Sequence, residues 1–159
     1  MIVVRQAEAQ DAARIHQLIV ALAVYEKEPD AVVCSPEELR AQLQQSAPPF
    51  ACLLAEERGE ALGFALYFQN YSTWRGRPGL YLEDLFVVPE QRGRGIGKQL
   101  LGALARVATG RRCARMEWAV LDWNEPAIRF YESMSARPQN DWTVYRLDRS
   151  GIVKLAGDS

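Results

Sequence analysis

The stretch EQRGRGIGKQ, residues 90–99, decides the fold because it places a glycine-rich loop between two regular elements. Gly93, Gly95 and Gly97 alternate, with arginines around them and Lys98 behind them. The preceding residues 80–88 predict a nearly continuous apolar strand, and the following residues to about 109 predict an amphipathic helix. The first N–H groups of a helix lack partners, and glycines bring backbone close to a ligand. The stretch therefore predicts an anion site, the alternative being a turn without a ligand.

Two familiar phosphate motifs fail on spacing. A P-loop ending at Gly97 and Lys98 needs glycine where Arg92 stands and serine or threonine where Gln99 stands. A dinucleotide fingerprint starting at Gly93 needs glycine where Lys98 stands. The loop is thus neither of these.

The bulk composition predicts one globular domain spanning residues 1–159. Of 159 residues, 48% are hydrophobic and 25% are charged, with a net charge of −1, so a basic nucleic-acid-binding face is not expected. The apolar runs are too short for a membrane span, and no signal peptide is apparent. Three separated cysteines and one histidine predict free thiols in a reducing cytoplasm, without a metal site.

The periodicity predicts an α/β fold in the order β-α-α-β-β-β-α-β-α-β, a mixed sheet with helices on its faces. Asp11 is a candidate cap for a first helix that ends near Tyr25, and Ser35 begins a second helix. Two strands at residues 50–55 and 61–69 form a hairpin, followed by a loop over residues 70–79. Residues 116–120 predict a further strand, 124–134 a helix, and 142–147 a final strand.

The strand YLEDLFVV carries Glu83 and Asp84 side by side. Alternate side chains of a strand point to opposite faces, so both carboxylates can share a face only at a bulge. An ionised carboxylate in an apolar strand needs a partner or water, and a salt bridge or a sheet edge is the ordinary explanation. The functional interpretation is an acidic wall that binds a cationic amine and accepts its proton.

The segment WNEPAIRFYES supplies the other candidate group. Asn124 is placed to cap the helix, with Pro126 in its first turn. Tyr131 is either a core aromatic residue or a general acid, since a phenol with an ordinary pKa near 10 suits protonation of a departing thiolate.

The loop Gln91-Arg92-Gly93-Arg94-Gly95, followed by Ile96-Gly97, resembles the Q-x-x-G-x-G/A pyrophosphate loop of the GNAT superfamily of N-acetyltransferases. With LAVYEKE, YLEDLFVV and WNEPAIRFYES, nearly the whole chain resembles the diamine (spermidine/spermine) and thialysine N-acetyltransferase branch. The resemblance implies a GNAT fold, in which a mixed, mostly antiparallel central sheet is flanked by helices. It also implies acetyl-CoA as co-substrate, no metal, and a homodimer.

The resemblance implies roles for individual positions. It makes Tyr131 the general acid and Glu83 the acid that binds or deprotonates the amine. It implies cofactor contacts at Leu85, Phe86, Val87, Gln91, Arg92, Gly93, Arg94, Gly95, Ile96, Gly97, Lys98, Asn124, Glu125, Pro126 and Ala127. It implies substrate contacts at Tyr25, Glu26, Trp74, Glu83, Asp84, Glu117, Trp118 and Ala119.

The expected reaction is transfer of the acetyl group from acetyl-CoA to a primary amine of a small molecule by direct attack in a ternary complex. A polyamine, a diamine and a lysine-like amino acid all stay open as acceptors, and Arg75 or Arg77 is a candidate partner for an amino-acid carboxylate. Two alternatives are a non-catalytic acyl-CoA-binding regulatory module and an acetyltransferase that acts on a protein amine. No nucleic-acid or membrane partner is expected.

Overall fold

The computed structural model describes residues 1–157, in which five strands form one sheet in sequence order. The strands are β1 Val3–Gln6, β2 Ala51–Glu57, β3 Glu60–Ser72, β4 Arg77–Val87 and β5 Met116–Glu117. Neighbours from β1 to β4 are antiparallel, and β5 lies parallel to β4. The predicted mixed, mostly antiparallel sheet is confirmed.

Helices occupy the intervals between the strands and the end of the chain. They are α1 Ala12–Tyr25, α2 Pro36–Leu43, α3 Ile96–Gly110, α4 Glu125–Ser133 and α5 Arg149–Ala156, with single 3₁₀ turns at Ala9–Asp11 and Pro89–Gln91. The hydroxyl of Ser35 accepts the Glu38 N–H at 3.1 Å, which confirms the predicted start of α2.

Each face of the sheet is covered by helices. Leu54 and Phe64 are opposite each other on β2 and β3, and they pack in a core with Ile15 of α1 and Leu39 of α2. The alternate positions of the same strands form the second face, on the side of α3. On this helix the fully buried side chains include Leu100 and Leu104.

The predicted cap at Asp11 is not observed, because its carboxylate is used elsewhere. Asp11 accepts hydrogen bonds from Arg5 at 2.8 and 2.9 Å and from the Glu8 N–H at 2.8 Å. Arg5 also binds Glu56 of β2. The Arg5 guanidinium holds the pKa of Asp11 below its usual range, so this buried pair joins β1 to β2 and to the start of α1.

The predicted loop over residues 70–79 is wrong in extent, since β3 and β4 continue until Ser72 pairs with Arg77. Gly76 has a φ of 64° in the short turn between them. A Cβ at Gly79 would lie 2.6 Å from Asn70 Oδ1, so this glycine allows close strand approach. Gly79, the last residue of the predicted loop, is therefore a strand residue.

Residues Met1–Ala119 form one compact unit, and the described residues from Val120 onward form a second. In the second unit Asn124 caps α4, as predicted, through a 3.4 Å bond from the Ala127 N–H. The predicted strand at residues 142–147 is wrong: this segment is irregular and its side chains are exposed. Alternation favours a strand only where another strand offers hydrogen bonds, and none is described between residues 120 and 157.

A helix that the periodicity did not reveal, α5, follows that segment. Asp148 Oδ1 accepts the Gly151 N–H at 3.0 Å, and Gly157 takes the left-handed conformation at the other end. The predicted strand at residues 116–120 is limited to the two residues of β5.

The thiols are free, with Cys52 buried and the other two partly exposed. Burial raises the pKa of Cys52 to about 12. Along residues 1–157, no helix combines the length and apolar character that crossing a bilayer requires.

Candidate active site

A β-bulge at Glu83 sets the geometry of the candidate site. Leu66 of β3 pairs with Asp84, whereas the next residue, Tyr67, pairs with Leu82, so Glu83 is the extra residue of β4. Glu83 is exposed and Asp84 is partly buried. A bulge is the condition under which two adjacent carboxylates of a strand can share one side, and the structure contains one.

Three carboxylates form what we call the acid cluster: Glu26, Glu83 and Asp84. Burial, and then the charges of Glu83 and Glu26, raise the pKa of Asp84 to about 6. Burial also raises the pKa of Glu26. Among the ion pairs of the described chain, none involves these three carboxylates. The cluster is therefore suited to a cation and can hold or release a proton near neutral pH.

Tyr81 is a neighbour of the acid cluster that the sequence reasoning missed. It lies two residues before Glu83 on β4, pairs with Glu117 of β5, and packs on Phe68 with ring centroids 5.3 Å apart. Burial, and then Glu83 and Glu117, raise its pKa, so its hydroxyl keeps its proton. Its signal in the sequence is the i, i+2 spacing to Glu83.

The C-terminal end of α1 contacts the C-terminal end of β4 through aromatic side chains. The rings of Tyr25 and Phe86 lie 6.3 Å apart. The guanidinium of Arg92 lies 4.4 Å from the Tyr25 ring centroid and 5.6 Å from that of Phe86, and its Nε donates to the Val87 carbonyl at 3.1 Å. The structure thus brings Tyr25 and Glu26 to the strand that carries Asp84.

The glycine loop has the backbone of an anion site. Gly93 and Gly95 have φ values of 82° and 78°, and Gly95 is the N-cap of α3. In the first turn of α3, the N–H of Gln99 is the first that bonds a backbone carbonyl. It donates to the Gly95 carbonyl at 3.0 Å. The N–H groups of residues 96–98 precede it and suit an anion.

The spacing of the glycines in the sequence corrects the register of the motif. Glycines three and five residues after Arg92 are Gly95 and Gly97, so the x-x-G-x-G spacing starts from Arg92 rather than Gln91. The N–H groups of Gln91 and Arg92 bond to the carbonyls of Val88 and Pro89, at 2.9 and 3.3 Å. The N–H groups of these first two residues of the predicted loop are thus bonded within the protein and are not available to an anion.

The cations of the loop differ in their surroundings. Arg94 binds both oxygens of Glu57 at 3.0 Å and also contacts Gln91. Lys98 lies with Arg106 along an open groove of about 440 Å³ beside α3. In this structure Lys98 faces a groove, and Arg94 is ion-paired on the surface.

One edge of β4 is bonded along its length and the other is not. Leu85, Phe86 and Val87 pair with β3 residues, whereas β5 pairs only with Leu80 and Tyr81. Beyond Tyr81, no strand in residues 1–157 continues that second edge. Backbone groups at these three predicted positions therefore suit an extended, amide-bearing ligand.

The remaining predicted substrate residues are spread more widely. Glu117, in β5, is ion-paired with Arg115 at 3.2 Å, and Trp118 and Ala119 follow it. Trp74 is 87% exposed in the β3–β4 turn. Arg75 and Arg77 lie at that turn, about 20 Å along β4 from Asp84. That separation is too long for one small amino acid to span, so these arginines are not suited to hold its carboxylate.

The second unit carries the rest of the predicted site. Glu125, Pro126 and Ala127 form the first turn of α4, and the ring of Tyr131 lies 5.6 Å from that of Phe130. Their roles stay predictions.

The chain is similar to a known protein family and to individual known proteins. The family model described as "Acetyltransferase (GNAT) family" matches residues 9–135. A thialysine N-epsilon-acetyltransferase of Bos taurus is 38% identical over 167 residues, covering 98% of each chain. An L-ornithine N5-acetyltransferase of Arabidopsis thaliana is 44% identical over 93 residues, covering 58% of this chain and 41% of its own.

The chain also shares its fold with a solved structure. An integron cassette protein from the mobile metagenome of V. cholerae superposes with a TM-score of 0.81 at 27% identity, covering 98% of this chain and 97% of its own.

Proposed function

Because this chain belongs to the GNAT family of acetyltransferases, whose members take acetyl-CoA as co-substrate, we propose that it acetylates the side-chain amine of a lysine-like amino acid. The observation that carries the proposal is the acid cluster with no cationic partner among the described ion pairs, at the end of β4. The names of two relatives support it, because thialysine and ornithine are both amino acids with a terminal amine.

In the proposed reaction the exposed Glu83 binds the ammonium group and Asp84 accepts its proton. The pKa of Asp84 is raised to about 6 by burial and neighbouring carboxylates, so Asp84 is ionised at pH 7 and is still a stronger base than an ordinary aspartate. The neutral amine then attacks the thioester carbonyl, forming the C–N bond as the C–S bond breaks. A backbone N–H near Leu85 stabilises the oxyanion, and Tyr131 protonates the CoA thiolate.

A panel of amines tests the acceptor. Lysine, thialysine, ornithine and spermidine are each supplied with acetyl-CoA, and free thiol is measured over time. We expect thiol release with the amino acids and little with spermidine. Release with spermidine alone would assign a polyamine acceptor, and release with none of the four would overturn acetylation of a small amine.

Substitution of Tyr131 by phenylalanine tests the general acid. We expect Tyr131→Phe to lower kcat about 100-fold or more while the Kd for acetyl-CoA stays constant, because the ring is kept and only the proton donor is lost. Tyr145→Phe, at an exposed residue of the same compact unit, serves as the matched control. An unchanged kcat in Tyr131→Phe would remove this residue from the mechanism, and Tyr81 would be the next donor to test.

We place the enzyme in the cytoplasm as a homodimer with one catalytic domain over residues 1–159. Three free thiols suit a reducing compartment, and the family match runs across both compact units. Exposed apolar side chains in the second unit, including Val144 at 88% and Leu155 at 80%, supply a surface for a second copy. Light scattering after gel filtration tests the dimer, and a monomer at micromolar concentration would contradict it.

A further inference from the structure

Arg92 stands at the junction between the glycine loop and the acid cluster. Its guanidinium carbon is within about 6 Å of two ring centroids, the range of a cation–π contact, at 4.4 Å for Tyr25 and 5.6 Å for Phe86. Its Nε donates to the Val87 carbonyl at 3.1 Å. Although the residue is exposed, these three attachments direct its side chain onto the protein.

The two rings that Arg92 contacts belong to segments that carry residues of the acid cluster. Tyr25 is the last residue of α1 and immediately precedes Glu26. Phe86 lies two residues after Asp84 on β4. The last turn of α1 closes with Lys27 in the left-handed region at a φ of 65° and with the Glu28 N–H bonded to the Ala23 carbonyl at 2.9 Å. The position of Glu26 therefore depends on how the C-terminal end of α1 packs, and Arg92 packs on that end through the Tyr25 ring.

On its other side Arg92 joins directly to the loop. Gly93 follows it with a φ of 82°, a conformation that glycine adopts without strain. The conformation of Gly93 sets the direction of the backbone from which the Arg92 side chain extends. The same arginine thus joins the anion loop to the helix end that carries Glu26.

We propose that Arg92 is a positioning residue that couples acetyl-CoA binding to amine binding. The inference rests on the proposed function, because it takes the acid cluster as the amine site. When the cofactor orders the loop, the Arg92 contacts order Tyr25 and Glu26, so an amine that binds second meets a site with less conformational freedom left to lose. By linkage, the amine strengthens cofactor binding by the same factor.

The rival role for Arg92 is direct contact with the pyrophosphate, as the sequence resemblance implies. The two roles differ in the equilibrium that they change. A phosphate ligand strengthens cofactor binding whether or not an amine is present. A coupling residue changes cofactor affinity mainly in the presence of the amine.

Calorimetry on the full chain separates these roles, with CoA in place of acetyl-CoA so that no transfer occurs. We expect the Kd of lysine for the wild type to fall about five- to tenfold when CoA is saturating. In Arg92→Gln this factor should fall to about one, with the Kd of CoA alone raised less than in Lys98→Gln. Arg92→Lys should also lose most of the factor, because an ammonium group lacks the planar fork that stacks and donates here.

Lys98→Gln is the matched control in the same loop. It should weaken CoA binding severalfold through the lost positive charge, while the lysine coupling factor stays at the wild-type value. Coupling retained in Arg92→Gln would overturn the inference, as would a loss of CoA affinity in Arg92→Gln equal to that in Lys98→Gln.

Tyr25 supplies a second pair of variants. Tyr25→Phe keeps the ring face under the guanidinium and should keep the coupling, whereas Tyr25→Leu should remove it. In the Arg92→Gln/Tyr25→Leu double variant the two losses should not add, because both remove one contact. Additive losses would place the coupling elsewhere.

Hydrogen exchange tests the same contact without any amine, so it is independent of the acceptor. CoA should protect the amides of Glu26 and Glu28 in the wild type and leave them unprotected in Arg92→Gln. If no amine of the panel is acetylated, the proposed function fails, and the exchange result still decides the Arg92 contact. If lysine is acetylated and CoA protects these amides equally in both proteins, the inference alone fails.

Discussion

The glycine loop and the acid cluster occupy the same end of the sheet, but they are built from different parts of the chain. The loop is made of backbone, with two glycines of positive φ and the start of α3. The acid cluster is made of side chains from α1 and β4, and its character comes from burial and a bulge. Cofactor binding should therefore depend on backbone conformation, and acceptor chemistry on charge.

We expect the largest effect of a single substitution at Asp84. We expect Asp84→Asn to lower kcat/KM for the amine about 100-fold or more, the usual scale for loss of a general base. In the wild type, kcat/KM should rise as Asp84 loses its proton, through a pKa of about 6. The variant should lose this rise and keep only the rise at higher pH that comes from ionisation of the amine itself. Thiol-release kinetics from pH 5 to 9 at saturating acetyl-CoA measure both effects.

The control for this variant is Glu60→Gln, which removes an exposed carboxylate at the start of β3. It should leave the pH profile unchanged. If Asp84→Asn kept the wild-type profile, Glu83 would be the base. A large loss of acetyl-CoA affinity in Asp84→Asn would break the separation between the two regions.

The same residue should lower the stability of the fold at neutral pH. Because the pKa of Asp84 is raised from 3.8 to about 6, the folded state binds its proton more tightly than the unfolded state does. The contribution of Asp84 to stability should thus be greatest below pH 4 and be lost as the pH rises through about 6. The shift corresponds to about 3 kcal/mol, at about 1.4 kcal/mol for each pH unit. Urea unfolding should show Asp84→Asn more stable than the wild type at pH 8, and a gap that did not shrink below pH 5 would contradict this origin.

In the loop, the corresponding test is Gly95→Val. A side chain at a φ of 78° costs about 2 kcal/mol, so the free variant loop should leave this conformation. Because acetyl-CoA binding must then restore it, we expect the Kd to rise by up to about 30-fold. A Cβ at Gly95 meets nothing within 4 Å, so the protein should still fold. Gly110→Ala is the matched control, since Gly110 ends α3 away from the loop and also has open space. Calorimetry that gave equal Kd values for Gly95→Val and the wild type would contradict a backbone-defined site.

The smallest effect is expected at Lys27, a non-glycine residue with a φ of 65°. Glycine is favoured at this position of a helix end, so Lys27→Gly should stabilise the fold by about 1 kcal/mol or less. Thermal unfolding measures the gain. Destabilisation would show that the Lys27 side chain contributes more than its backbone conformation costs.

The same contrast explains what the sequence could and could not predict. The loop was predictable because glycine spacing and a following helix are local signals, although Arg92, and not Gln91, starts the spacing. For the neighbouring carboxylates of β4, the alternation of strand side chains set a bulge as the condition for sharing a face without predicting that one exists. The resemblance implied that Glu26 lies near them, whereas the local pattern did not, because its position depends on how α1 packs on the sheet.

Errors occurred where a local signal has two interpretations. Gly79 lies in the predicted loop, but in the structure it allows a close contact between two strands. The alternation at residues 142–147 indicated a strand, but no described strand in its unit pairs with it. In contrast, the capping residues Asp148 and Gly157 indicate α5 in the sequence, but hydrophobic periodicity does not take capping residues into account.

β5 pairs with β4 only as far as Tyr81, so the edge of β4 beyond this residue has no described strand partner. This unpaired edge affects how the protein behaves during handling. A run of unpaired strand backbone can join to a strand of another molecule, so it favours aggregation unless something covers it. A pantetheine arm bound along Leu85–Val87 would cover it by occupying the same hydrogen-bonding groups. We therefore expect the protein to aggregate at a lower temperature without CoA than with it, by more than the gain in unfolding temperature alone explains.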